Sequence, residues 1–211
     1  MPKIVQHDQR RAAIAAAAWR TIARDGLDAS SVRAIARDAG CSTGVLAHYF
    51  PDKDALLLHA LRLATARTGA RMATRARAAR GVAALRAVVR EALPLDADSR
   101  LEWRIWLAFW GRAFADRALA AEQRRRYLTW RRVIRTRLAA AFPDRASVDD
   151  DADALVALID GIGLQATLEP SRLAPARQMR MIDAHLGGIK KRQKAKVKSQ
   201  KAKVRSGAGH F

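Results

Sequence analysis

An all-α fold is predicted, with a small N-terminal three-helix domain and a larger helical domain behind it. Three observations predict it. Alanine, leucine and arginine, all strong helix formers, dominate a 211-residue chain that holds only 6 prolines and 12 glycines. Pro51, Pro94, Pro143, Pro170 and Pro175 fall at gaps in the apolar pattern and divide the chain into stretches of helix length. No β-branched alternation of period two suggests a sheet.

Taken in order, helices are expected at about residues 8–25, 31–39, 42–50, 53–80, 82–93, 99–115, 119–142, 148–168 and 175–186. Gly26 stops the first by adopting a left-handed conformation, and Ser31 and Ser42 cap the next two by accepting backbone N–H bonds. These short helices make a first domain over residues 1–52, and the long helices of 53–187 need a core of their own. At Gly187–Gly188 the composition changes sharply. From Lys190 onward there are nine Lys+Arg and no acid, and seven of the chain's nine lysines lie there. Residues 188–211 are therefore expected to be a disordered basic tail.

The formal charge of +20 favours polyanionic partners, nucleic acid before anionic membrane surfaces. Half the residues are apolar, so a core can still be buried. The charge is uneven: residues 1–55 hold eight Lys+Arg and six acids, a net of +2, so recognition there cannot rest on bulk charge. A single cysteine, Cys41, excludes an intramolecular disulfide and fits a reducing cytoplasm. It reads first as a small buried hydrophobe and second as a redox sensor. With no signal-peptide core and no run of about 18 apolar residues, no membrane association is expected.

There is no phosphate-cradling glycine loop, no zinc-spaced His/Cys cluster and no nucleophile signature. The expectation is a protein that is not an enzyme and needs no cofactor or metal. Asp149-Asp150-Asp151-x-Asp153 lacks the glycine and distal glutamate of a calcium loop. It opens a helix, where acids compensate the dipole.

The informative segment is Ser31-Val32-Arg33-Ala34-Ile35-Ala36-Arg37-Asp38-Ala39-Gly40-Cys41-Ser42-Thr43-Gly44-Val45-Leu46-Ala47-His48-Tyr49-Phe50. Val32, Ile35, Ala36 and Ala39 make one apolar face, Gly40 permits a tight turn, and Val45, Leu46 and Phe50 give the next helix its inner face. That is helix-turn-helix spacing, in which the second helix enters the DNA major groove with its N-terminal end leading. Together with Gly26-Leu27, Asp52-Lys53 and Leu56, the segment resembles the N-terminal domain of the TetR/AcrR regulators over about residues 10–58.

The resemblance implies a DNA-contacting set of Ser31, Arg33, Thr43, Gly44, His48, Tyr49 and Lys53. Arg33 stands where a guanidinium reaches a base edge, and Thr43 holds phosphate. Gly44 lets the helix approach the bases, His48 and Tyr49 meet backbone or bases, and Lys53 binds phosphate. For Tyr49 a core role weighs equally with phosphate contact. Two positions depart from the family pattern: Ala47 replaces a frequent tyrosine and removes one phosphate contact, and Cys41 replaces valine or isoleucine.

For residues 53–187 the resemblance implies a ligand-binding and dimerisation domain. Trp106-Leu107-Ala108-Phe109-Trp110 and Ala157-Leu158-Ile159-Asp160-Gly161 resemble the BetI subgroup, regulators of choline-to-betaine synthesis. Trp103, Trp106 and Trp110 share one helix face, with Phe114 continuing it. This stripe reads either as packed core or as an aromatic cage for a choline-like cation, at about 0.5–2 kcal/mol per ring, with Glu102 or Asp160 as counter-charge.

A dimer interface is expected from Leu155, Leu158, Ile159 and Ile162 with Met179, Ile182 and Leu186, where Gly161 and Gly163 allow close backbone approach. The expected function is a homodimeric, ligand-responsive repressor of a palindromic double-stranded operator. The alternative is a sequence-tolerant DNA-coating protein dominated by its tail, which otherwise adds non-specific phosphate contacts or only solubility.

Overall fold

The computed structural model describes residues 3–26 and 29–207, with side chains for residue 7, residues 9–26 and residues 29–195. Among the described residues there are nine helices and no strand: α1 (Lys3–Asp25), α2 (Val32–Asp38), α3 (Thr43–Tyr49), α4 (Lys53–Arg77), α5 (Gly81–Glu91), α6 (Ala97–Ala115), α7 (Arg117–Ala141), α8 (Val148–Leu168) and α9 (Pro175–Gly207).

Caps set the helix starts. Ser31 and Ser42 accept from the backbone N–H of Ala34 and Val45 at 3.1 and 3.2 Å, each cap contributing about 1 kcal/mol. Gly26 and Gly40 turn the chain at φ +83° and +62°, the left-handed region that a side chain disfavours. Asp52, Asp96 and Asp116 cap α4, α6 and α7, and Asp96 closes a reciprocal capping box with Ser99. The caps at Asp96 and Asp116 start α6 and α7 two residues earlier than apolar periodicity alone suggests.

Two hydrophobic cores follow. The first gathers Ile14, Ile22, Ile35, Leu46 and Phe50 from α1–α3 with Leu56, Leu57 and Leu61 of α4. It also takes Ile105 and Phe109 of α6 and Leu119 of α7, so the N-terminal head is completed by residues far along the chain. The second lies between α4 and α9 and is built on Leu85, Val89, Trp103, Ile134, Leu138, Leu155, Ile159 and Ile182.

Directions in the second body follow from cross-helix pairs. Tyr127 bonds Asp160, Arg131 pairs with Asp153 and Arg135 with Asp149, so α7 and α8 are antiparallel. Helix α9 then runs back along α8 until Arg192 meets Asp151 at 3.5 Å. The head touches the start of α7, so α9 travels away from it. These aspartates thus do more than oppose a helix dipole: Asp151, buried between Arg145 and Arg192, ties the start of α8 to α9.

Three expectations are corrected here. The tail is not disordered over its described part, because α9 continues to Gly207; residues 208–211 lie outside the described residues. Lysine, arginine, alanine and glutamine are good helix formers, and Ile189 is fully buried, which carries the helix through Gly187–Gly188. The composition boundary is therefore not a structural one. Leu155, Ile159, Ile162, Met179, Ile182 and Leu186 are not an exposed interface either, since all are buried in the chain's own second core. Gly163 makes room for Trp103 rather than for a neighbouring helix.

Candidate functional site

The first candidate surface is the head. In α2 and α3, Ile35, Ala36 and Leu46 point inward, which turns Ser31, Arg33, Thr43, Gly44 and His48 to solvent. Ser31 spends its hydroxyl on the cap of α2, and the carbonyl of Gly40 in the turn accepts from Arg10 at 3.1 Å. Tyr49 is half-buried against His7, ring centroids 4.6 Å apart, with His48 5.4 Å away. Lys53 opens α4 beside the end of α3. The seven residues of the predicted set thus lie on or beside two short helices at one end of the molecule. Nothing in the sequence pattern pointed to Arg10 or His7, which the tertiary packing of α1 brings there.

The second candidate is a cavity of about 460 Å³ in the helical body. Trp103, Trp106 and Trp110 of α6 line it, joined by Tyr127 and Trp130 of α7, Ile159 and Asp160 of α8, and Thr65, Thr68 and Met72 of α4. The indoles meet edge to face, Trp103 at 5.3 Å from Trp106 and 5.8 Å from Trp110, and Trp110 stacks with Tyr127 at 6.2 Å. Trp103 is both core and wall: it is buried, and its Nε1 donates to the Ala92 carbonyl at 2.8 Å. The same rings thus pack in or against the core and line the cavity.

Asp160 accepts from the Tyr127 hydroxyl at 2.7 Å. Burial pushes its pKa above the ordinary aspartate range, opposed by the Tyr127 hydrogen bond and by Arg131, whose guanidinium lies 5.4 Å over the Tyr127 ring. Burial and the Asp160 partner raise the phenol in turn, so Tyr127 stays protonated as the donor.

Two site expectations are corrected. Phe114 is 93% exposed and lies outside the cavity, on the last turn of α6 just before Asp116 caps α7. Glu102 is not the counter-charge: it is buried against Arg71, at 2.7 and 2.9 Å, and accepts from Thr68 at 2.7 Å. The half of the cavity supplied by α4 and α7 carried no sequence signal, since Thr65, Met72 and Tyr127 are ordinary helix residues until the helices pack.

Helix α6 belongs to both places. Trp103, Trp106 and Trp110 face the cavity, while Ile105 and Phe109, on the opposite side, are fully buried in the head's core. Arg112, further along α6, holds Asp54 of α4 at 2.5 Å. Helix α6 is thus in contact with both the cavity and the head. No described helix is long and apolar enough to cross a membrane.

Two family models match the chain. A model described as "Bacterial regulatory proteins, tetR family" matches residues 14–60, and one described as "BetI-type transcriptional repressor, C-terminal" matches residues 81–190. The chain is 31% identical to the HTH-type transcriptional regulator PksA of Bacillus subtilis (strain 168), over 90% of this chain and 94% of that protein. It is 37% identical to the HTH-type transcriptional regulator BetI of Burkholderia mallei (strain NCTC 10229), over 80% and 87%.

Among solved structures, a transcriptional regulator from Rhodococcus sp. Rha1 matches with a TM-score of 0.78 at 30% identity, covering 85% of this chain and 95% of that one. A transcriptional regulator from Saccharomonospora viridis in complex with choline matches with a TM-score of 0.76 at 26% identity, covering 85% and 96%. The chain therefore belongs to the TetR family of DNA-binding transcriptional regulators and, by its C-terminal region, to the BetI-type repressors.

Proposed function

We propose that the chain is a cytoplasmic, homodimeric repressor that releases a palindromic operator when a choline-like cation fills the aromatic cavity. One observation carries this: five aromatic rings and the Asp160 carboxylate line the same 460 Å³ space. A quaternary ammonium donates no strong hydrogen bond, so π-faces and a carboxylate are the groups that recognise it. The choline complex of the Saccharomonospora viridis regulator supports the reading. Because α6 also supplies Ile105 and Phe109 to the head, a ligand that resets α6 biases the spacing of two recognition helices.

Titration calorimetry tests the cation. Choline binds the wild-type protein, and Asp160→Asn weakens it at least about tenfold with the fold intact. Absence of binding by choline and by every other quaternary ammonium compound tried at millimolar concentration refutes the proposal. The pH dependence has a definite sign. Choline affinity falls as pH drops through the raised Asp160 pKa, above the ordinary value of 3.8. The free protein moves the other way. A carboxyl whose folded pKa is raised adds stability that is complete below the unfolded value and lost as pH rises through the folded one. Between those two values, affinity rises and intrinsic stability falls.

The dimer surface is reassigned to the outward side of α8. Ala154, Ala157, Leu158, Gly161, Leu164 and Leu168 form an apolar stripe, with Leu168 69% exposed. Of the residues predicted for the interface, Leu158 and Gly161 face this way. Between Ala154 and Leu168 the helix has one charged residue, Asp160, and that one is in the cavity. A two-fold dimer on this stripe sets two heads on successive major grooves.

In the head, Arg33 reads a base and Thr43, Gly44, His48, Tyr49 and Lys53 follow the backbone around it, with Ser31 holding α2 in place. Arg33→Ala costs about 1–3 kcal/mol of operator binding and relaxes preference at one position, measured by fluorescence anisotropy on operator variants. Equal loss on every sequence counts against base reading.

The coating alternative is not favoured. The relatives are transcriptional regulators, and α9 carries the basic run away from the head, about 22 Å beyond Arg192 by helix rise. Truncation after Ala195, which keeps Ile189 in the core, should leave operator affinity and its salt slope unchanged. A flattened slope shows that the run does touch operator phosphates.

A further inference from the structure

The two sides of the effector cavity carry opposite charge, which deepens the reading above and rests on it. On the α8 side stands Asp160, held by Tyr127. On the α4 side Arg126 reaches across from α7, its Nη1 donating to Thr65 Oγ1 at 2.6 Å. Glu122 lies between Arg125 and Arg126, at 2.5 and 3.0 Å. These three groups sum to one positive charge, and all of them line the cavity with Asp160. The lining is neutral as a whole and polar across its width. A simple cation answers only one side.

Arg126 supplies a second, independent observation. Its side chain is 18% exposed, and its Nε is buried with no hydrogen-bond partner in the protein. Glu122 and Thr65 engage its terminal nitrogens, so neither relieves the inner one. A buried guanidinium donor is costly to leave unmade, and oxyanions are the acceptors that guanidinium geometry suits. Burial also holds this guanidinium below its ordinary pKa, in the direction that an incoming anion reverses. Space is sufficient, because 460 Å³ falls within the range of about 300–1,000 Å³ typical of small-molecule sites.

We propose that the effector carries both charges: a quaternary or tertiary ammonium on Asp160 and the indoles, joined by a short chain to an oxyanion that accepts from Arg126. Such a molecule stays net neutral in a net neutral lining and satisfies both ends. Calorimetry on the full-length protein compares choline with trimethylammonioacetate, its four-carbon homologue and glycerophosphocholine, whose phosphodiester carries a single negative charge. At least one doubly charged compound binds ten times or more tightly than choline, and the carboxylate and phosphate arms identify the anion.

Arg126→Gln removes that advantage, so that choline then binds at least as tightly as the doubly charged compounds, and the retained choline binding reports that the variant is folded. Arg126→Met, which keeps the length of the side chain without its charge or donors, serves the same purpose if the glutamine variant does not fold. If choline binds as well as all three compounds, the two-charge effector is overturned while the cation-responsive reading stands. If none of the four binds, both fall.

Discussion

Replacing Gly163 with alanine is expected to destabilise the protein by about 3 kcal/mol and to abolish effector binding. A Cβ at this position meets Trp103 Cζ2 at 2.0 Å, Cη2 at 2.1 Å and Cε2 at 2.5 Å. These are atoms of a rigid bicyclic ring, so no flexible chain end can yield. Trp103 is also tied by its Nε1 to the Ala92 carbonyl, so rotating it away orphans a buried acceptor. The same rotation moves one wall of the cavity and breaks the contacts to Trp106 and Trp110. Gly111→Ala is the control, on an exposed turn of α6 with nothing within 4 Å of its Cβ. It should be neutral or more stable by up to about 1 kcal/mol, as for any helical glycine. Thermal melting and tryptophan fluorescence of both variants check the pair, and equal melting points would show that Trp103 does not depend on the missing side chain.

Arg71→Ala is expected to cost about 3 kcal/mol, because it strands a carboxylate inside the body. Glu102 is 3% exposed and receives two bonds from Arg71 and one from Thr68. Arg71 also holds Glu91 at 3.0 Å, so a single guanidinium joins α4, α5 and α6 behind the cavity wall. Partial exposure of Arg71 lets water replace some of what is lost, which places the effect at the lower end for a broken buried pair. Glu102→Gln in the Arg71→Ala background should recover much of it, since the charge and not the shape is the burden. Denaturant unfolding of the two single variants and the double variant measures the coupling. Additive losses would mean that the two groups do not act as a pair.

The head was legible in the sequence for a local reason. Ser31, Gly40 and Ser42 act within four residues of themselves, through caps and one left-handed turn, and Ile35, Leu46 and Phe50 follow helical period. The prolines and these caps likewise marked most helix limits. Misreadings came where one residue's meaning depends on a distant partner. Leu155, Ile159 and Ile182 have the spacing of an apolar stripe, and spacing cannot say whether the chain itself or a second copy covers it. Phe114 continues the tryptophan periodicity but is left exposed on the last turn of α6, where periodicity cannot say what covers it. Glu102 looked available until Arg71, 31 residues earlier, arrived beside it.

By itself, then, the amino-acid order determined an all-α chain, a helix-turn-helix with its polar face outward, and a row of three indoles on one helix. Each depends on propensity, capping and periodicity, which act over a few residues. Only the tertiary structure decided that the indoles wall a cavity shared with Tyr127 and Asp160, that α6 spans cavity and head, and that Arg126 has a buried unpaired nitrogen. It also turned the basic end of α9 away from the head. Those outcomes rest on which faces of long helices meet, and packing between residues far apart in sequence sets that geometry.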